Sequence, residues 1–245
     1  GYDPSDTGSS DLGPIVGKVA LRSKADEFNS QELVNIVWAL SVLENGAHPG
    51  FADIWERAMA SGISSGTTPQ LAQLFHSKLL LEATSLLPGG AGGGDAVRPS
   101  STRSHAYIPD HVEQEARSAW HRVSLKNSVL SRFHSQVSSA LHRAKVSHQN
   151  EVVTFNGFLS VDILLEEEHS SIGGGRKAQK VVIEVDGPSH FSHNTRRVTG
   201  STLARNKLLH SWGYHVVSIP FYAWPGQPDL QDEYVHGLLE FLACP

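Results

Sequence analysis

"VVIEVDGPSHF", residues 181–191, decides how the C-terminal half of this chain is read. β-Branched residues run directly into two carboxylates, Glu184 and Asp186, and a Gly-Pro turn and His190 follow at once. Successive strand side chains alternate between faces, so carboxylates two positions apart share one side of a sheet. The stretch is therefore a strand that carries two like charges to the same face at its end.

Working outward from it, "EVVTF" and "FLSVDILL" flank Asn156-Gly157, the signal of a tight hairpin. Asp162 lies in the second of those strands, and the acidic run Glu166–Glu168 with the loop "SSIGGGRK" leads on to Lys180. In the other direction a loop runs to about Ser201. A helix is predicted from about Thr202 to Trp212, with Ala204, Leu208 and Trp212 on one face, and "YHVVSIP" reads as the next strand. Asp229 is placed to cap a last helix carrying Leu230, Tyr234, Leu238 and Leu242. Upstream, a polar helix is predicted at about 110–121. A longer one spans about 128–145, with Val129, Phe133, Val137 and Leu141 in step. Helix, three strands, helix, strand, helix is an α/β arrangement: a small mixed sheet flanked by helices.

The N-terminal third has a different period. Asn29 and Glu32 have capping-box spacing, and Leu33, Ile36, Val37, Leu40 and Leu43 form a helical stripe. Pro49 opens a second helix with Phe51, Ile54, Trp55 and Ala58, stopped by Gly62. Thr68 and Pro69 open a third, with Leu71, Leu74, Phe75 and Leu79. Short one-faced helices on short loops read as stacked α-hairpins of a repeat array. "PGGAGGGDAVRPSSTRS" has linker composition. The expected organisation is a helical segment at 1–87, a linker at 88–104 and an α/β domain at 105–245.

The chain has 245 residues, 39% of them hydrophobic, and a formal net charge of −5. The core is thus sizeable, and any basic surface has to be local. A single cysteine, Cys244, excludes an internal disulfide framework and a thiolate zinc site. No apolar run reaches the ~20 residues of a membrane helix. The chain begins with Gly1, as a processed piece of a longer protein would.

If the strands bearing Asp162 and Glu184 pair, Asp162, Glu184 and Asp186 converge. Hard oxygen ligands of that kind suit Mg²⁺ and phosphodiester hydrolysis. The order of elements resembles the restriction-endonuclease-like PD-(D/E)XK fold, whose signature is Asp followed by (Asp/Glu)-x-Lys. Here Asp186 stands where the lysine belongs, which leaves His190 as the alternative base. The structural reading is that strand-end carboxylates cap a loop or pair with a cation, Arg205 or Lys207 from the following helix. On that reading no metal or cofactor is expected; Mg²⁺ enters only with nuclease activity. His190 and His193 have H-x-x-H spacing but neither a cysteine nor a helix to complete a zinc site.

The stretch 128–224 resembles the RAP domain of organellar RNA proteins. The resemblance rests on "SVLSRFHSQVSSAL", "VDILL", "VVIEVDGPSHF", Thr199-Gly200 and "LARNKLLHSWGYHVVSIPFYAW". "SQELVNIVWALSVL" is similar to the octotricopeptide-type repeats that precede RAP domains in green algae, and to the helical region of FAST-kinase-like proteins. The resemblance implies an organellar protein of RNA processing, stability, translation or ribosome assembly. The compartment it implies is the mitochondrion or, alternatively, the chloroplast stroma.

From Ala116 to Asn150 there is no acidic residue, while Arg117, Arg122, Lys126, Arg132, Arg143 and Lys145 fall within that run. Arg196, Arg197, Arg205 and Lys207 form a second basic group, and Tyr222 and Trp224 follow the last strand. Basic residues with nearby aromatics suit phosphate contacts and base stacking. Equally, a basic run is a solvated helix face and Trp224 a lid on the core. Three functions stay open: RNA binding without catalysis, a metal-dependent ribonuclease, or a ribosomal-RNA-binding subunit beside other ribosomal proteins. No membrane partner is expected.

Overall fold

The computed structural model describes residues 13–24, 27–62, 66–86, 107–125, 131–166 and 180–243. The linker expected at 88–104, Lys126 and the loop after Glu166 lie outside the described residues. The chain divides into two compact units, Gly1–Trp120 and His121–Pro245.

The first unit is helical: α1 (Gly13–Lys24), α2 (Ser30–Val42), α3 (Pro49–Gly62), α4 (Thr68–Leu86) and most of α5 (Asp110–Ser124). The predicted capping box is present at α2. Asn29 Oδ1 accepts from the Glu32 amide at 3.0 Å, and Glu32 Oε2 accepts from the Asn29 amide at 2.8 Å. The stripes Leu33, Val37 and Leu40, Phe51, Ile54 and Trp55, and Leu71, Leu74 and Phe75 are all buried. Trp38 Nε1 donates to His76 Nδ1 at 3.1 Å, and the His76 ring lies 4.5 Å from that of Trp120.

The sequence reading starts the second unit at residue 105. In the structure residues 107–120 group with the first unit. The Tyr107 carbonyl accepts from Trp55 Nε1 at 3.1 Å, and Glu113 pairs with Lys78 at 2.5 Å. The apolar positions of α5, Val112, Ala116, Ala119 and Trp120, are buried.

The second unit is a four-stranded mixed sheet with helices. In chain order it comprises α6 (Arg132–Arg143), β1 (His148–Val153), β2 (Ser160–Leu165), β3 (Lys180–Asp186), α7 (Gly200–Ser211), β4 (Tyr214–Pro220) and α8 (Pro228–Ala243). Strand order is β1-β2-β3-β4. β1 and β2 are antiparallel, as are β2 and β3; β3 and β4 run parallel, with α7 as the crossover. Val181, Ile183 and Val185 pack with Val137, Leu141, Ile163, Ile219 and Val235 in one core.

The hairpin is longer than the Asn-Gly signal implies. β1 stops at Val153 and β2 starts at Ser160. Thr154 N donates to the Leu159 carbonyl at 2.8 Å, and Gly157 N to the Thr154 carbonyl at 2.8 Å. Within the loop between Val153 and Ser160 only Gly157 takes the left-handed conformation, φ 76°, while Asn156 Oδ1 accepts from the Thr154 hydroxyl at 2.8 Å and the Phe158 amide at 3.1 Å. Those side-chain bonds stabilise a wider loop than the two-residue turn.

Candidate functional site

β3 carries the two carboxylates, and both are buried, Glu184 at 2% exposure and Asp186 at 1%. Glu184 is held from α7. Arg205 Nε donates to Glu184 Oε2 at 2.8 Å and Nη2 donates to Oε1 at 3.1 Å, a two-pronged pair. Arg205 Nη2 also donates to the Ser160 carbonyl. Burial pushes the Glu184 carboxyl up, to about 7, against the pull of Arg205.

Asp186 faces a histidine and a hydroxyl. His190 Nδ1 lies 2.8 Å from Asp186 Oδ1, and the Ser218 hydroxyl donates to Oδ2. The short turn Pro188–His190 brings the histidine back over the strand end. The bond to Asp186 holds the His190 ring above its usual imidazole range. A raised histidine contributes stability below about 6.5 that disappears as pH climbs through its folded value. His190→Gln should therefore flatten the fall of melting temperature with pH above about 6.5. An unchanged slope in the variant would refute this pairing.

Asp162 stands one step beyond the Ile163↔Ile183 pair, where the β2–β3 ladder ends. Its Oδ2 accepts the Val185 amide at 2.7 Å, taking over a ladder bond with a side chain. Burial holds this carboxyl above the ordinary aspartate range.

The three predicted acids thus lie on adjoining strands, but each is bound to a different partner. A cation between Glu184 and Asp186 would have to displace Arg205. Among the described residues the metal-capable atoms that come together are another set: one each from His134, Glu151 and Asp162, all within 4.8 Å of one another. Sequence reasoning missed His134 and Glu151. Glu151 has φ 54°, so its side chain does not follow the strand alternation from which β1 is read.

The basic residues distribute unevenly. Arg117 belongs to the first unit, and Arg122, Arg132 and Lys145 are exposed in the second. Arg143 pairs with Asp232 of α8, Nη2 to Oδ1 at 2.7 Å, so the fold supplies the acid that the local sequence lacks. Arg205 is taken by Glu184, and Lys207 is half-buried on the same helix. Trp224 is half-buried, with its ring 6.0 Å from Phe133 and 5.5 Å from Tyr234; it packs against the core cluster.

Arg196 and Arg197 have another setting. Phe191 bridges to Val198, and Ser192 N donates to the Arg197 carbonyl at 2.8 Å, so residues 192–197 form a short projecting loop. Its tip is exposed, with His193, Arg196 and Arg197 on it. The Arg196 guanidinium lies 5.1 Å from the centroid of the Tyr222 ring. Tyr222 meets Phe191 and Phe221 edge-on at 5.3 and 5.4 Å. Phe221 and Tyr222 are exposed, 39% and 45%. A cavity of about 690 Å³ opens beside them, lined by Ser189, Phe191, Ser192, His193, Asn194, Thr195 and Thr199. These loops follow the carboxyl ends of the parallel strands β3 and β4, where α/β sheets leave a crevice for ligands.

Residues 183–235 match the model of the RAP domain. The match starts in β3 and runs into α8, so it contains Glu184, Asp186, His190, Arg196, Arg197, Arg205 and Tyr222. It stops short of α6 and the hairpin, on which the resemblance in the sequence also drew. The chain is 22% identical over 198 residues, 80% of its length, to the "RAP domain-containing protein, chloroplastic" of Oryza sativa subsp. japonica. It spans 27% of that protein. No helix among the described residues is long and apolar enough to cross a membrane.

Proposed function

We propose that this chain is an organellar RNA-binding protein whose RAP domain holds unpaired RNA on the loops that follow β3 and β4, without itself cleaving it. One observation carries the reading: Arg196 lies over the exposed Tyr222 ring, with Arg197 and His193 on the same loop tip. A ring with open surface next to guanidinium groups offers a nucleobase a stacking platform and its phosphates a positive partner. Glu184 supports binding over hydrolysis, because Arg205 occupies both of its oxygens. The plastid is the favoured compartment, since the rice relative is named as chloroplastic. Processing, stability, translation and ribosome assembly are the roles such binding would serve.

The test is binding of a fluorescent single-stranded RNA as salt is varied. Stacking contributes about 1–3 kcal/mol per base, so Tyr222→Ala should weaken binding by roughly 5- to 150-fold. Arg196→Glu with Arg197→Glu should also flatten the salt dependence, by about 0.7 in log–log slope for each phosphate no longer neutralised. Glutamate at Arg132, Arg143 and Lys145 together should weaken binding less, because Arg143 is already paired with Asp232. A salt-independent affinity, or unchanged affinity in both loop variants, would show that RNA is not held here.

A further inference from the structure

A chain of hydrogen bonds beside β1 has only one consistent direction when His148 is neutral. The Val146 carbonyl can only accept, so His148 Nδ1, 2.8 Å away, donates to it. His148 Nε2 is then a lone pair, and the Ser138 hydroxyl, at 2.9 Å, donates to it. The Ser138 oxygen accepts from the Asn150 amide nitrogen at 3.0 Å. Asn150 Oδ1 is thereby turned to His134 Nε2 at 3.1 Å, and that nitrogen must carry the proton. In the neutral ring with its proton on Nε2, the other nitrogen, Nδ1, is a lone pair.

That lone pair points at another acceptor. His134 Nδ1 is 3.5 Å from Glu151 Oε1, in a histidine side chain only 5% exposed. Glu151 Oε1 is itself buried and has no hydrogen-bond partner among the described residues. A carboxylate oxygen of Asp162 completes the group, all within 4.8 Å. With the His134 ring neutral and both carboxyls ionised, three electron-pair donors face one another.

We propose that His134, Glu151 and Asp162 bind a divalent cation of the zinc or manganese class. One imidazole and two carboxylates form a mixed nitrogen–oxygen donor set, which suits these ions better than Mg²⁺. Donors that share a cation at about 2.1 Å lie roughly 3–4 Å apart, so the present spacing needs only a small closure. The surroundings are those of a ligand set. The His134 Nε2–H is anchored on an amide oxygen, and Asp162 keeps its Oδ2 on the Val185 amide. Glu151 is 28% exposed at its side chain, which leaves a way in from solvent. A bound ion would tie the first turn of α6 to the β1–β2 hairpin.

The experiment uses the full chain after chelator treatment. Co²⁺ is titrated as a visible probe of nitrogen–oxygen ligation, and Zn²⁺ by calorimetry. One equivalent of each should bind, with ligand-field bands for Co²⁺ and a higher melting temperature for both. Glu151→Gln should weaken binding about tenfold or more. Glu151→Gly removes the carboxylate and suits the left-handed backbone at φ 54°, so it should stay folded and still lose the ion. Asp232→Asn, far along the chain, should bind as the parent does. Absence of binding by either ion, or equal affinity in the folded Glu151→Gly variant, would overturn the proposal. So would nitrogen NMR showing protons on both His134 nitrogens in the presence of saturating Zn²⁺, which would place a proton where the ion belongs.

Discussion

Replacing Arg205 by alanine is expected to destabilise the C-terminal unit by about 3–5 kcal/mol above about pH 7, where Glu184 is ionised, the cost of leaving one member of a buried ion pair alone. Glu184 is 2% exposed and both of its oxygens are bound by that guanidinium. Without it the carboxyl has no counter-charge against desolvation and moves further up. The pH dependence follows with a definite sign. Between about 4.5 and about 7 the folded parent holds a proton that the unfolded chain has released, so Glu184's contribution falls as pH rises through that window. In Arg205→Ala the window extends to higher pH, and the variant keeps losing stability where the parent no longer does so through this group. Arg205→Met with Glu184→Leu should recover most of the loss, because apolar side chains of similar volume need no partner. Denaturant unfolding of the three proteins across pH decides the matter. A loss under about 1 kcal/mol in Arg205→Ala would mean that the pair behaves as a surface ion pair.

Acid should act on the helical unit through His76. Burial holds this imidazole down to about 4, and its Nδ1 must stay unprotonated to accept from Trp38. A histidine lowered on folding contributes full stability above its unfolded value of about 6.5 and loses it as pH falls toward 4. The fall corresponds to about 3 kcal/mol. His76→Gln keeps an acceptor for Trp38 and cannot take up a proton, so it should remove that part of the acid sensitivity. Thermal melts of parent and variant between pH 7 and pH 4 measure the difference. Parallel curves would show that His76 is not the group responsible.

What was readable in the sequence was whatever repeats or sits close together. The stripes of α3 and α4 and the cap at Asn29 are local, and they stand where their periods put them; in α2 Leu33, Val37 and Leu40 are buried, whereas Leu43 falls past the helix end and is exposed. The order of β1, β2, β3, α7 and β4 follows from the change of period, while charge and helix position narrow the cation beside the strand-end acids to Arg205 or Lys207, and only the fold puts Arg205 on Glu184. Pairings set by folding were not readable. Asp232 reaches Arg143 across 89 positions, so the acid-free run from Ala116 to Asn150 overstated the open positive surface. The left-handed backbone at Glu151 breaks the alternation that would have revealed its neighbours. The aromatic next to Arg196 is Tyr222, while Trp224 turns to Phe133 and Tyr234; which of two nearby rings stays out depends on how the loop after β4 packs.

β3 is buried on both faces, and this gives its two charges a further consequence. Val181, Val182, Ile183 and Val185 are nearly interchangeable in shape, and all are buried. A slip of β3 by one residue against β4 would exchange the faces of every side chain. For the valines and isoleucine that exchange is almost without cost. For Glu184 it is not: the slip would take the carboxylate from Arg205 into the layer of Leu141, Ile219 and Val235, with no cation to meet it. Asp186 would leave the Ser218 hydroxyl in the same movement. In a ladder whose apolar residues scarcely distinguish one alignment from the next, the buried acids are the marks by which the alignment is recognised.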